Sequence, residues 1–564
     1  MRKRSRPPDL PEDPTLIVVA IAGGSPLPEG AGPAALGSKA FNLGRMAAAG
    51  LNVPPAFVIG TGFCAAPEMV TRDVWSGSLA ELERVSGLRL GDVRRPLLLS
   101  VRSGAPVSMP GMMETILNIG LTDATMPGFI RLTGHPRLAW DAYRRLIAGF
   151  GEVVAGVDGR CFEADLAAIR NGDDERMLDF ARLRELARRH GETFARESGR
   201  PFPQSAEQQL SEAIAAVFRS WSSDKAAAYR TRNAIRHDMG TAVTVQRMVF
   251  GNAGGLSGAG VGFTRNPSTG DPALWIDFLF HAQGEDVVSG RRDARGNGDL
   301  PSLAPGVWAE LQAAASTLER QFADMQDFEF TIEDGILYLL QTRDGKRTPL
   351  AAARIALDML DAGLIDAETA RARTRTLDAR TLTVHRIAAA DGGTLVPLAS
   401  AASAASGVVA GAIAFDEDGV RRQRDAGNPV ILIRRDAETR DIAALDLADG
   451  LLTRHGARTS HAAVVARQLG KVCLVGCEAL AIDEPGRRIV IGDQAFPEGS
   501  VLTLDGNEGR IFAGRVAIVE EVPELLLARL ARLNAGSGRM DGPAERQNGS
   551  SGADRLQIGA GAAI

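Results

Sequence analysis

Cysteine is scarce in this chain of 564 residues, which contains Cys64, Cys161, Cys473 and Cys477 and no others. So few cysteines in so long a chain do not suggest a disulfide framework, and they fit a reducing cytoplasm. Cys473 and Cys477 have no further candidate ligands nearby in the sequence. We therefore interpret them as small buried residues rather than as a metal-binding pair.

Long apolar runs and a charge bias are lacking as well. No apolar run reaches the roughly 18 residues that a membrane helix requires. The net charge is −5 with both signs mixed, which argues against a nucleic-acid-binding surface. Hydrophobic content of 45% and charged content of 24% are typical of a soluble globular protein. The length predicts more than one domain.

Shifts in composition divide the chain into five segments. Residues 1–14 are basic and Pro-rich without the apolar core of a signal peptide, which predicts a disordered lead. Residues 15–350 alternate Gly-rich turns, short β runs and long helices, as an α/β or α+β domain does. Residues 351–399 predict a helical linker or hinge, and residues 400–516 predict a compact second domain with recurrent β runs. Residues 517–564 are interpreted as a low-complexity tail.

The most informative stretch is LTRHGARTSHAAVVARQLG, residues 452–470. The Ala/Val-rich run after His461 predicts a short buried helix, with Thr459 or Ser460 as its N-cap and Gly470 as its stop. The positive end of a helix disfavours imidazolium and stabilises negative charge added to the ring. A neutral imidazole there suits a phosphoryl-accepting histidine, although a lone histidine at a helix start is also common as polar packing.

Three upstream segments have features of phosphate binding. Lys39 follows a Gly-Ser turn and opens an Ala/Leu-rich helix, which can place a cation near a phosphate. The strand PLLLSVR delivers Arg102 to a loop rich in Gly, Ser, Pro and Met, where it can fork onto phosphate oxygens. Two apolar strands flank GNAGGLSGAG, whose glycines allow close backbone approach to a phosphate chain. Each segment alone also fits a solvated lysine, a salt-bridged arginine or a structural loop.

The stretch DFEFTIEDGILYLLQTR, residues 327–343, predicts a β-hairpin around a central Asp-Gly turn. Asp327 and Glu329 share the face opposite to the apolar one and lie about 7 Å apart along the strand. Gln341 and Arg343 share one face of the return strand. Carboxylates near cations suit Mg²⁺ held between protein and nucleotide, while a solvated acidic face has the same pattern.

Several stretches of this chain have a distinctive sequence: SVRSGAPVSMPGMMETILNIGL, VFGNAGGLSGAGVGFTRNPSTGD, AQGEDVVSG and DFEFTIEDGILYLLQTRDGKRT. In their order and in their residues they resemble motifs of the ATP-binding half of the pyruvate, phosphate dikinases. TSHAAVVAR running on into QLGK resembles the phosphohistidine signature of the phosphoenolpyruvate (PEP)-utilising enzymes. The resemblance covers most of residues 35–515. It implies a multidomain fold of α/β and α+β type, with an ATP-grasp-like nucleotide-binding domain followed by a swivelling phosphohistidine β/α domain.

The same resemblance implies roles for individual residues. His461 would receive the transferred group, and Thr459 matches the threonine that a regulatory kinase/phosphatase modifies in some members. Six residues would bind ATP and its metal: Lys39, Arg102, Asp327, Glu329, Gln341 and Arg343. Of these, Glu329 and Gln341 would contact ATP-bound Mg²⁺. The implied partners are ATP, phosphate and pyruvate or PEP, and both a homodimer and a separate PEP/pyruvate-binding subunit are compatible with it.

The chain also departs from the family pattern. The family continues into a (β/α)₈ barrel that binds PEP and pyruvate, which needs roughly 200 residues or more, whereas only residues 517–564 follow here. Gly255 and Leu256 replace an acidic residue and a threonine. Arg458 stands where the family usually has methionine and is a candidate phosphate contact.

Together these observations predict ATP- and Mg²⁺-dependent phosphorylation of His461, with transfer to pyruvate only if a barrel is supplied. Two alternatives stay open at this stage. One is a non-catalytic nucleotide-binding or phosphocarrier regulator. The other is a truncated, inactive dikinase.

Overall fold

A computed structural model of the chain describes residues 15–107, 109, 114–288, 299–388, 395–436, 441–458 and 461–535. Across these residues, none of the helices has both the length and the apolar character needed to traverse a bilayer. The described residues form a mixed α/β structure with an N-terminal part, a helical connector and a C-terminal part. The predicted multidomain α/β and α+β fold is confirmed.

The N-terminal part is built on two antiparallel sheets, with strand orders β1-β2-β5-β3-β4 and β7-β6-β8-β9. The strands are β1 (Val18–Ile21), β2 (Ala56–Ile59), β3 (Leu99–Gly104), β4 (Thr115–Ile119), β5 (Ala242–Arg247), β6 (Gly258–Phe263), β7 (Trp275–Phe280), β8 (Gln326–Glu333) and β9 (Ile336–Asp344).

Helices cover these sheets. They are α1 (Pro33–Ala48), α2 (Arg72–Ser86), α3 (Met126–Thr133), α4 (Pro136–Val153), α5 (Gly159–Arg170), α6 (Phe180–Ser198), α7 (Ala206–Ser220), α8 (Asp224–Arg232), α9 (Gly284–Val288), α10 (Leu300–Leu303) and α11 (Pro305–Phe322). Short 3₁₀ turns occupy Thr61–Ala65, Pro67–Met69, Glu175–Met177 and His237–Met239.

Two apolar cores hold the N-terminal part together. In the first, Phe57 and Val101 pack beneath α2, α4 and α7. The second is shared by both sheets, because Val58 of β2 packs in the same cluster as Phe328 and Phe330 of β8, with α1 and α11. Alternate residues of a strand point to opposite faces, so burial of these side chains turns the intervening polar residues of β3 and β8 away from their cores.

The connector contains α12 (Pro349–Asp361), α13 (Ala367–Thr374), α14 (Ala379–Leu382) and β10 (Val384–Ile387). The sequence predicted a helical linker over residues 351–399, and the described part of this range contains three helices and one strand. Ile355 and Leu357 of α12 pack with Phe263 and Met325 of the N-terminal part. The start of the connector is therefore anchored to the N-terminal part.

The C-terminal part is built on a mixed sheet of order β11-β21-β20-β13-β14-β15-β16-β12, with a small sheet of β17, β18 and β19 beside it. Its elements are β11 (Ala399–Ser400), β12 (Ala402–Ala405), β13 (Val408–Ala414), α15 (Glu417–Asp425), β14 (Val430–Arg434), α16 (Ile442–Leu447), β15 (Gly450–Thr453), α17 (His461–Gln468), β16 (Val472–Val475), β17 (Leu480–Asp483), β18 (Arg488–Ile491), β19 (Gln494–Pro497), β20 (Val501–Asp505), β21 (Arg510–Ala513), β22 (Ile518–Glu521) and α18 (Glu524–Ala535).

Strands β13 to β16 of this sheet run parallel to one another, with α15, α16 and α17 as the crossovers. Both faces of these strands are covered: Leu432 and Leu451 pack on one side, and Ile431 and Leu452 pack on the other. Parallel strands buried on both faces read as continuous apolar runs. NPVILIRR and KVCLVG, two of the β runs predicted within residues 400–516, have this continuous apolar character and form β14 and β16.

The structure differs from the prediction at the start of the expected tail, because residues 518–535 are folded. β22 pairs antiparallel with β10 of the connector. In α18, Leu526, Leu530 and Leu533 pack against the connector helices, and Arg529 Nη2 lies 3.0 Å from Asp358 Oδ1. The prediction of a tail followed the composition of the Gly/Ser-rich residues further along. It overlooked the amphipathic spacing of the leucines that form α18. The pairing of β22 with β10 and the packing of α18 thus link the end of the described chain to the connector.

Candidate active site

Lys39 lies just beyond a break in α1. Gly37 has φ 71° and ψ 156°, which interrupts the helical geometry. A Cβ at this position would lie 1.8 Å from the carbonyl oxygen of Gly104 at the end of β3, so only glycine fits. Ser38 then donates to the carbonyl oxygen of Ala105, from its backbone N–H at 3.0 Å and from its hydroxyl at 3.1 Å. The predicted Gly-Ser turn therefore clamps the Lys39 helix onto the end of β3.

Arg102 projects from β3 towards the second sheet. Its Nη2 lies 3.5 Å from Glu329 Oε2, and its Nη1 lies 3.5 Å from Gln246 Oε1 of β5. The Arg102 and Glu329 side chains are 20% and 27% exposed, so each retains contact with solvent. Arg102 thus joins the first sheet to β8 and leaves donors available to a ligand.

The predicted hairpin is formed by β8 and β9, and it closes at the Asp-Gly turn, whose residues have φ 49° and 79°. Positive φ at both central residues is characteristic of a type I′ hairpin turn. The register pairs Glu329 with Gln341 and Asp327 with Arg343. A register shift just after Glu329 leaves Leu340 as an extra residue on β9. This bulge places Gln341 beside Glu329, where its Nε2 lies 3.4 Å from Oε1.

Asp327 and Arg343 form an ion pair across the hairpin. Arg343 Nε donates to Asp327 Oδ2 at 2.8 Å, and the two side chains are 41% and 4% exposed, respectively. Burial raises the pKa of Asp327, and the neighbouring Arg343 guanidinium opposes that rise. The exposed side of Arg343 remains open to an anion.

The predicted cations and carboxylates therefore meet at one place between the two sheets. The pKa of Lys39 is lowered from 10.5 to about 8, chiefly by burial and next by the positive charge of Arg102. Glu329 raises this pKa, and Arg343 lowers it further. Lys39, Arg102 and Arg343 outnumber Asp327 and Glu329 by one charge. A cleft with excess positive charge and fixed carboxylates suits an anion that brings a cation of its own.

The Gly-rich segment crosses between the two sheets, since β5 and β6 belong to different sheets. Gly254 and Gly255 have φ 86° and 51°, a conformation that favours glycine. The Ser257 hydroxyl accepts the backbone N–H of Asp334 at 3.0 Å, which fixes the segment to the hairpin turn. The loop predicted after Arg102 falls partly outside the described residues, at positions 108 and 110–113.

His461 is the first residue of α17, which supports the prediction of a helix starting at this histidine. Ala462, Ala463 and Ala466 are buried, and Gly470 follows the helix with φ 66°. The predicted N-caps, Thr459 and Ser460, lie outside the described residues. For His461 the structure describes the backbone and not the side chain. The backbone places position 461 at the positive end of the helix.

Arg458 lies on the segment leading to α17, and it contacts the N-terminal part. Its Nε donates to Asp277 Oδ1 at 2.9 Å, and its Nη2 donates to the carbonyl oxygen of Ile276 at 2.7 Å. The guanidinium carbon also lies 4.0 Å from the centroid of the Trp275 ring. The sequence had suggested a phosphate contact for Arg458. The structure instead engages the side chain with strand β7, because a buried carboxylate there offers a strong partner.

Arg467, near the end of α17, lies in the same interface. Its Nε donates to the Ala404 carbonyl oxygen at 2.9 Å, and its guanidinium lies 5.4 Å from the Phe263 ring and 5.5 Å from the Trp275 ring. Burial lowers the pKa of Arg467 to about 10. The Arg467 charge also opposes the burial-driven rise in the pKa of Asp327. The His461 helix is thus docked beside the sheet that carries the carboxylates.

The residues on the N-terminal side of this interface were not among the predicted site residues. Asp277 is fully buried in the centre of the apolar run LWIDFLF, and Trp275 lies two residues before it. A charged residue inside an apolar strand is unusual unless it is paired, so this run carried a readable signal. The partner, Arg458, is distant in sequence and could not be read from the run itself.

Comparison with known proteins accounts for both parts of the chain. A family model described as "Pyruvate phosphate dikinase, AMP/ATP-binding domain" matches residues 76–295. A second, described as "PEP-utilising enzyme, mobile domain", matches residues 426–509. The two matches lie within the two predicted domains, in the predicted order.

Curated relatives match across both parts at once. Pyruvate, phosphate dikinase of Clostridium symbiosum is 41% identical over 501 residues, which cover 86% of this chain and 57% of that relative. The corresponding protein of Rhizobium meliloti (strain 1021) is 40% identical over 516 residues, covering 87% of this chain and 57% of the relative. The chain belongs to the pyruvate, phosphate dikinase family.

The same coverage holds for pyruvate, phosphate dikinase of Giardia intestinalis, which is 40% identical over 503 residues, or 86% of this chain and 56% of the relative. The chain therefore spans somewhat more than half the length of these relatives. The shared part contains both the AMP/ATP-binding domain and the mobile domain of the family.

Proposed function

We propose that this chain performs the ATP-consuming half-reaction of a pyruvate, phosphate dikinase, in which His461 becomes phosphorylated. The observation that carries the proposal is the convergence of three cations and two carboxylates beside the docked helix α17. Onward transfer to pyruvate, giving PEP, is proposed only where a PEP/pyruvate-binding barrel is supplied.

The chemistry proposed for His461 is nucleophilic. A neutral ring nitrogen attacks the β-phosphorus of ATP, an N–P bond forms, and the bond from the β-phosphorus to the α,β-bridging oxygen breaks with its electron pair leaving on AMP. The pyrophosphoryl-histidine then passes its terminal phosphoryl group to inorganic phosphate. Pyrophosphate leaves, and phosphohistidine remains.

The residues of the cleft would act by binding and by stabilising charge. Negative charge on the phosphoryl oxygens needs cations that are already in place in the transition state. Lys39, Arg102 and Arg343 meet that need because the α1 clamp, Glu329 and Asp327 hold them there.

The acidic side of the cleft fits Mg²⁺, because Glu329 and Gln341 place a carboxylate and an amide beside each other. Among the described residues, no cluster of three or more His, Cys, Asp and Glu side chains could hold a metal alone. The nucleotide phosphates would therefore contribute most ligands. Bound Mg²⁺ would neutralise charge on the phosphate oxygens.

The remaining expectations stay predictions. They are a cytoplasmic location, a homodimer or a separate barrel subunit, and regulation at Thr459, which lies outside the described residues.

The proposal is tested by incubating the chain with Mg²⁺ and ATP labelled at either the β- or the γ-phosphorus. Without phosphate, both labels are expected to become attached in an acid-labile, alkali-stable form. Addition of phosphate should remove the γ label and leave the β label. Failure to attach the β label contradicts the proposal, and attachment of the γ label alone contradicts attack at the β-phosphorus.

Lys39 gives the proposed site a pH dependence. Its pKa is lowered to about 8 by burial and by Arg102, so the free protein loses this cation as the pH rises through 8. ATP brings negative charge and should raise that pKa again, so binding takes up a proton near pH 8 to 9. We expect ATP affinity to fall about tenfold between pH 7.5 and 9.5, measured by calorimetry in buffers of different ionisation enthalpy.

The matched variant is Lys39→Arg, whose guanidinium stays charged over this range. Its ATP affinity should vary by less than about twofold over the same interval. A wild-type affinity that stays constant from pH 7.5 to 9.5 would contradict the proposed coupling between ATP binding and protonation of Lys39.

A further inference from the structure

We propose that Arg458 is a positioning residue. It holds the His461-bearing domain against the ATP-binding domain, through Asp277, while His461 becomes phosphorylated. The inference rests on the proposed phosphorylation of His461.

The contact is specific in geometry. Arg458 donates from two different nitrogens, to the Asp277 carboxylate at 2.9 Å and to the Ile276 carbonyl oxygen at 2.7 Å. Its guanidinium also lies 4.0 Å from the Trp275 ring centroid. A planar guanidinium can satisfy all three partners, whereas a lysine ammonium is a point charge. The three partners on β7 are therefore arranged to match a guanidinium group.

Burial makes the contact strict in geometry but only modest in net stability. The Asp277 side chain is 0% exposed and that of Arg458 is 18% exposed. Attraction between charges increases when water is excluded, but removing both charges from water costs free energy of similar size. A pair of this kind has strict geometry and a modest net stability. It can hold a mobile domain and still release it.

The position of Arg458 in the chain directs its effect to the histidine. It lies three residues before His461, in the segment that opens α17. Arg467, further along α17, donates to the Arg458 carbonyl oxygen at 3.3 Å and to the Ala404 carbonyl oxygen. The segment is thus tied at one side to its own domain and at the other to β7. Fixing it limits how far position 461 can move relative to the cleft.

The test compares Arg458→Met, Arg458→Lys, Asp277→Asn and the Arg458→Met/Asp277→Asn double variant in the full chain. Arg454→Met is the matched control, because Arg454 donates to the Leu480 carbonyl oxygen within the C-terminal part. Three quantities are measured: the single-turnover rate of β-label attachment at saturating Mg-ATP, the dissociation constant of ATP, and the radius of gyration from X-ray scattering. Thermal unfolding checks that each variant is folded.

Arg458→Met and Asp277→Asn are each expected to slow attachment about tenfold, with ATP affinity changed by less than about twofold and a larger radius of gyration. The double variant should be no slower than either single variant, because both remove the same contact. Arg458→Lys should recover part of the rate. The Arg454→Met control should keep the wild-type rate and radius.

Three results would overturn the inference: a wild-type rate in Arg458→Met, multiplied effects in the double variant, or loss of ATP affinity in step with the rate. If the wild-type chain attaches no label, the proposed function fails. The radius of gyration still tests the docking role of Arg458 separately, because an unchanged radius in Arg458→Met would overturn that role.

Discussion

Replacing His461 by alanine is expected to abolish attachment of the β label from ATP, a loss of at least about a thousandfold in rate. The imidazole would form the bond to phosphorus. If water attacked ATP in its place, the products would be free in solution and no label would be bound to the protein. ATP affinity should stay within about twofold of wild type, because the proposed nucleotide contacts belong to other side chains. Single-turnover labelling and equilibrium dialysis measure the two quantities.

His455 provides the matched control for this variant, since it lies in the same segment and its carbonyl oxygen accepts the Thr453 hydroxyl. His455→Ala retains that backbone contact and should label as the wild type does. Label that persists in His461→Ala would show that another residue is the acceptor. Loss of label in both variants would point to a disturbed segment rather than to a missing nucleophile.

Replacing Glu329 by glutamine is expected to have the second-largest effect, slowing labelling by about a hundredfold or more at saturating Mg²⁺. The substitution preserves shape and removes one negative charge from beside Arg102 and Gln341. Metal-free ATP should bind the variant more tightly than it binds the wild type, because a carboxylate no longer repels the phosphates. The opposite signs of the two effects separate a metal-binding role from a structural one.

The control for this variant is Glu310→Gln, which removes the same charge from an exposed position on α11. It should leave both the labelling rate and the affinity for metal-free ATP unchanged. If Glu329→Gln lowered both quantities together, the carboxylate would be holding Arg102 in place and would have no direct part in binding the metal.

Local patterns in the sequence predicted several elements correctly. The Asp-Gly dipeptide between alternating segments predicted the β8–β9 turn, since a type I′ turn needs two residues with positive φ. Burial of Phe328, Phe330 and Ile332 followed from the same alternation and set Asp327 and Glu329 on the other face. The Ala-rich run before Gly470 likewise predicted α17. Each of these features depends on residues that are close together in the chain.

Other features depend on contacts that no local pattern contains. Strict alternation would place Gln341 on the same face as the buried Leu337 and Leu339, and only the bulge at Leu340 turns it to Glu329. The Gly-rich segment was predicted to lie between two apolar strands, but only the structure shows that these strands belong to different sheets. Which strand pairs with which is decided by the packing of whole sheets, where the gain from burial far exceeds any local preference.

The sequence by itself therefore determined the parts of the site: a histidine at a helix start, a lysine after a Gly-Ser turn, and carboxylates on one face of a strand. Those parts follow from backbone geometry and from the period of apolar residues. Only the tertiary structure decided that they meet, and that Arg458 pairs with Asp277 across the domain interface. Charges far apart in sequence come together only when the surrounding apolar surfaces are buried, and the exclusion of water there makes the geometry of such a pair strict.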